Sequence, residues 1–108
     1  MSFNFFISPS KKTEMQQIIE GKRYDTETAN EVCSDKYWDG SNHDRNGRNR
    51  TLYKTAKGAF FVHHETRWQG ERDHLEAVPE SLARELYEML PERAMTFEEA
   101  FGVEPEDA

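Results

Sequence analysis

The sequence predicts a small α+β domain, an antiparallel sheet with a central β-hairpin and two or three helices gathered on one side. Three observations predict it. Residues 51–55 and 59–66 are rich in aromatic and β-branched side chains and are joined by Ala56-Lys57-Gly58, whose glycine suits the positive φ of a three-residue hairpin loop. Leu82, Leu86, Met89 and Leu90 recur at i, i+4, i+7 and i+8, the stripe of an amphipathic helix. Thr96-Phe97-Glu98-Glu99 is a capping box, with Thr96 as N-cap and Glu99 at the third helical position.

In chain order, residues 1–14 form an N-terminal arm or edge strand, in which Phe3, Phe5 and Ile7 alternate before Ser8-Pro9-Ser10 breaks the run. Residues 18–24 suit a strand bent at Gly21; a helix opening at Ser8-Pro9, with Met15, Ile18 and Ile19 on one face, is the alternative. Asp25 or Thr26 can cap a helix with Glu27 and Glu31 near its start and Ala29, Val32 and Cys33 as its apolar stripe, running to Ser34 or Tyr37. Residues 39–50 hold no apolar side chain, and their Gly and Asn content favours an exposed loop. In the hairpin that follows, Phe60 and Val62 point to one face and Phe61 and His63 to the other, so each face needs a cover. A short strand at 75–78 leads through Pro79 into the amphipathic helix, which has Glu80–Arg84 and Arg84–Glu88 pairs on its wet side and ends at Pro91. The capped helix after it buries Phe97 and Phe101 and stops at Gly102, before an acidic tail at 103–108.

The 108 residues suit one domain, placed at 15–102. Apolar residues are 35% and charged ones 32%, above the roughly 25% charged of an ordinary globular chain, so the core must be thin. Aromatic residues, at 12%, offset part of that, because each buried ring removes a large area from water. A net charge of −7 opposes general coating of nucleic acid or acidic lipid. The charge is distributed in blocks: +2 over residues 1–24, −5 over 25–44, +5 over 45–72 and −9 over 73–108. Such a chain can present an acidic face and a basic strip together, which suits docking in one orientation. Without an apolar run of membrane-spanning length or a secretory leader pattern, a cytoplasmic location is expected.

Catalytic signatures are missing from the sequence. His63 and Glu65 share a strand face and could reach one metal, but a third ligand would have to come from His43, His74 or Cys33, and no helical ligand spacing is present. Cys33, the single cysteine, sits among apolar residues and suits a buried inert thiol. Asp35, Asp39 and Asp44 near Trp38 lack the spacing of a calcium loop. No enzyme activity, cofactor or metal is therefore expected. The strongest binding features are Arg45, Arg48, Arg50 and Lys54 on the basic segment, with Tyr53, Phe61 and Trp68 as stacking surfaces, and the acidic and aromatic positions Asp35, Trp38, Asp39, Glu85 and Glu88.

The stretch from Ile18 to Ala29 with its Y-D-T-E-T-A, the hairpin Thr51-Leu-Tyr-Lys-Thr-Ala-Lys-Gly-Ala-Phe-Phe61, Val78-Pro79 before the helix, and Phe97-Glu-Glu-Ala-Phe-Gly102 together resemble a family of small uncharacterised bacterial proteins from prophages, plasmids and conjugative elements. The resemblance spans residues 18–102; the N-terminal arm is extra, and His63-His64-Glu65-Thr66 replaces a glycine-rich stretch. It brings no established activity. What it implies is a type of role, that of a non-enzymatic acidic module that inhibits or modulates a host defence complex, as anti-CRISPR or anti-restriction proteins do. The expected partner is a nucleic-acid-binding host protein complex and not a membrane. A small regulator touching nucleic acid through residues 45–57 is the alternative.

Overall fold

Seven short strands and two helices make up the described residues, 15–35, 48–66 and 70–108 of a computed structural model. The predicted arm at 1–14 lies outside them, as does most of the predicted loop at 39–50.

β1 (Gln16–Ile19) and β2 (Lys22–Asp25) form a separate two-stranded antiparallel sheet. The expected bend at Gly21 is instead a complete reversal. Ile19 pairs with Lys22, and the two residues between them both take positive φ, 51° at Glu20 and 80° at Gly21, the geometry of a tight hairpin turn.

The predicted helix after Asp25 is not formed. Asp25 does organise the chain locally: its carboxylate accepts the Glu27 N–H at 2.9 Å and its carbonyl accepts the Ala29 N–H at 3.1 Å. One turn follows, and the backbone then extends into β3 (Asn30–Ser34). The helical spacing of Ala29, Val32 and Cys33 has a different origin. Glu31 pairs with Tyr53 but Cys33 pairs with Leu52, so Val32 is the extra residue of a β-bulge. The bulge lets the consecutive Val32 and Cys33 both enter the same core, which a regular strand of period two forbids.

β4 (Arg48–Lys54) and β5 (Phe60–Thr66) form the predicted hairpin, closed by the Thr55 N–H on the Ala59 carbonyl at 2.8 Å, with Gly58 at φ 91°. β6 (His74–Val78) adds to β5, and β7 (Glu92–Arg93), which the sequence does not suggest, adds to β3. The sheet order is β6-β5-β4-β3-β7, antiparallel throughout.

Both faces are covered, as the alternating aromatics require. On one, Leu52, Phe60, Val62 and Val78 pack under α1 (Glu80–Met89) and α2 (Phe97–Phe101), with Ala83, Leu86, Leu90 and Phe101 as the helical contribution. On the other, Tyr53, Phe61 and Leu75 meet Tyr24, Ile19 and Met15 of the β1–β2 hairpin. Phe61 stacks on Tyr53 at 5.2 Å between centroids and takes the edge of Tyr24 at 5.4 Å. The class is α+β with two helices among the described residues, and the second face is closed by strands.

Met89 departs from the predicted apolar stripe. It is exposed, and Tyr87 fills the corresponding place, with its edge on Phe97 and Phe101 and its hydroxyl donating to the Met95 carbonyl at 2.9 Å. The capping box forms as predicted: Thr96 Oγ1 accepts the Glu99 N–H at 3.1 Å, Glu99 Oε1 accepts the Thr96 N–H at 2.8 Å, and Gly102 ends the helix at φ 78°. Among the described residues no helix is long and apolar enough to cross a membrane.

Candidate functional site

The strands run beyond the helical layer, and their uncovered end is polar. Register explains why. On the face where Phe60 and Val62 contact α1, the next positions are Arg50 paired with His64 and His64 paired with His74. These side chains line a cleft of about 670 Å³ together with Asp35, Glu71 and Arg72. The imidazoles of His64 and His74 stack at 4.5 Å, nearly parallel at 13°. His64 Nε2 lies 2.8 Å from Glu76 Oε1, and Thr66 donates its hydroxyl to Glu71 at 2.6 Å. A cleft with two guanidiniums, two imidazoles and several carboxylates can hold a small polar or charged group.

Asp35 and Arg50 are the two predicted site residues brought together here. Asp35 is 2% exposed and accepts the Arg50 N–H at 2.7 Å, while its second oxygen faces Arg50 Nε at 3.5 Å. Its own N–H donates to the Arg50 carbonyl at 3.1 Å, so this pair also fastens the end of β3 to β4. Arg48 opens β4 and Lys54 closes it, at the far end of the strand. Lys54 is directed away from the cleft: Nζ donates to the Glu99 carbonyl at 3.3 Å and lies 5.9 Å from the Phe60 ring centre. Trp38, Asp39 and Arg45 lie outside the described residues, as do His43 and Trp68. Tyr53 and Phe61 are 8% and 0% exposed, so neither serves as the stacking surface expected for a base.

At the same end of the sheet, His63, Glu65 and Asp73 place one ligand atom each within 4.8 Å of one another, and Glu65 also borders the cleft. The third member is not among those the sequence suggests. His74 is on the cleft side, stacked on His64, and Cys33 is buried in the helix-covered core. Asp73 becomes legible only through the pairing of β5 with β6, which sets residue 73 across from residue 65.

Burial pushes the Cys33 thiol up from 9.0 to about 12, against the opposing charge of Arg93 and with Glu31 and Asp35 adding to the rise, and burial likewise pushes Tyr53 up to about 12. Cys33 is therefore expected to resist a thiol reagent at pH 8 in the folded chain and to react fully in urea; equal rates in the two states would contradict its burial. Both groups are neutral in the fold at pH values where the unfolded chain ionises. Their stabilisation is complete below about pH 9 and is lost as pH rises toward about 12.

The segment from α1 through the tail that follows α2 carries a second set of candidate residues. Residues 80–108 hold nine acidic side chains, all exposed, against two basic ones. Both basic groups are held by their own layer. Arg84 binds Glu80 at 2.6 Å and lies over the rings of Phe97 and Phe101; Arg93 lies 4.7 Å from the Tyr87 ring centre and donates to the Tyr87 carbonyl at 3.0 Å. Glu85 and Glu88 are exposed on α1 within this segment. Comparison with protein-family models, with curated proteins and with solved structures finds no match.

Proposed function

We propose that this chain is a non-enzymatic binding module whose acidic helical layer docks on a basic surface of a host protein complex. The observation that supports it is the run of nine exposed carboxylates over residues 80–108, whose two basic neighbours are turned onto carbonyls, rings and Glu80. A basic groove built for phosphates offers the complementary potential, so a protein that binds nucleic acid is the fitting partner. The resemblance to mobile-element proteins narrows this to inhibition of a host defence complex, of the anti-CRISPR or anti-restriction kind. Direct nucleic-acid contact through residues 45–57 has less support, because Arg50 and Lys54 are engaged within the fold and Tyr53 and Phe61 are buried.

The test begins with capture from a bacterial lysate. A stoichiometric basic protein partner is expected, with an on-rate that falls steeply as salt rises, since exposed charges are screened beyond about 8 Å at physiological ionic strength. The Glu85→Lys, Glu88→Lys double variant is expected to weaken binding about tenfold or more, as reversal of complementary charge does. Arg50→Gln is expected to leave it within about twofold, the scale of a charge outside the contact. Recovery of nuclease-sensitive material alone, with sensitivity to Arg50 and not to the glutamates, would transfer the function to the basic segment.

A further inference from the structure

We infer that His63, Glu65 and Asp73 form a binding site for one divalent ion of the zinc class, held between the end of β5 and the start of β6. His63 and Glu65 stand two apart on β5 and so share a face. The β5–β6 register pairs His63 with Leu75 and His64 with His74, and its continuation sets Asp73 across from Glu65 on that same face. One imidazole nitrogen and two carboxylate oxygens already lie within 4.8 Å of one another. Ligand atoms around tetrahedral zinc are about 3.4 Å apart for bonds of about 2.1 Å, so small rotations of the two carboxylates would bring all three ligands to bonding distance and leave the fourth position to water. The imidazole selects a borderline metal over calcium or magnesium, which take oxygen ligands.

Two further observations point to a ligand there. Asp73 Oδ1 accepts the Thr66 N–H at 2.9 Å, which orients the carboxylate as a supporting hydrogen bond does for a metal ligand and leaves Oδ2 to bind. Thr51 is fully buried directly across from His63, and its hydroxyl has no hydrogen-bond partner among the described residues. A buried hydroxyl without a partner is costly, and a water on the ion would supply one. This departs from the sequence expectation of no metal, which rests on the lack of a third ligand.

The experiment is calorimetric titration of the full chain with zinc chloride after treatment with EDTA. Uptake of one zinc per chain is expected, with no competition from calcium or magnesium, and cobalt in its place should give the visible absorption of a low-coordinate site. Glu65→Gln and Asp73→Asn are each expected to lower zinc affinity at least tenfold; the asparagine keeps an acceptor for Thr66 and so preserves the loop. Absence of saturable uptake would overturn the site. Uptake that survives both substitutions and disappears in His64→Gln would also overturn it, by placing zinc on the stacked histidines of the other face.

Discussion

Phe60→Ala and Phe61→Ala are each expected to cost about 3–5 kcal/mol, the range for truncating a buried aromatic side chain. The paired result matters more than either alone. Neighbouring residues on a strand face opposite ways, so a sheet with one wet face would tolerate one of the two changes. Here Phe60, 6% exposed, tilts against Phe101 at 5.3 Å under the helices, while Phe61, 0% exposed, is held between Tyr53 and Tyr24 beneath the β1–β2 hairpin. For a domain of this size the loss corresponds to a fall in Tm of roughly 12 °C or more, and it approaches the whole stability of a thin-cored chain. Urea denaturation followed by circular dichroism measures both. If Phe61→Ala kept the native midpoint, the β1–β2 hairpin would not be a true cover of its face.

Asp35→Ala has the next largest expected effect, about 2–3 kcal/mol, because it leaves the Arg50 N–H without its charged acceptor. Most of this belongs to the 2.7 Å backbone hydrogen bond and little to the guanidinium, which is 38% exposed and screened by water. Asp35→Asn therefore should recover more than half of the loss, since its amide oxygen can still accept. Should asparagine and alanine destabilise equally, the charge of Asp35 and not its acceptor would be what holds β3 to β4.

The elements legible in the sequence are those whose signals are local. The β4–β5 hairpin declares itself by alternating aromatics and Gly58, α2 by Thr96 and Glu99, and α1 by its leucines. Strand β3 is hidden because its bulge puts Val32 and Cys33 on one side and so imitates a helical stripe. The β1–β2 turn is hidden because Glu20 adopts a positive φ that its residue type seldom takes. Two-residue β7 carries no pattern of its own; its place follows from where α1 ends. Asp35 and Arg50 are legible as residue types, but their union spans fifteen positions and a strand pairing. The same is true of His64, His74 and Glu76, which meet only once β5 and β6 are in register.

Gln17 reaches from β1 to accept the Leu75 N–H on the outer side of β6 at 2.9 Å. β6 borders the five-stranded sheet, and a border strand with unfilled amides is a template for a strand from another molecule. The glutamine occupies one such amide with a side chain, so it satisfies the backbone without extending the sheet. Glu76 and His74, both exposed on the same strand, add charge and polarity to that border. At the opposite border the short β7 and the Ala94 N–H on the Val32 carbonyl at 2.9 Å cover the bulged β3. Each margin of the sheet thus has part of its backbone already engaged, which leaves fewer open amides for edge-to-edge growth between copies of the chain.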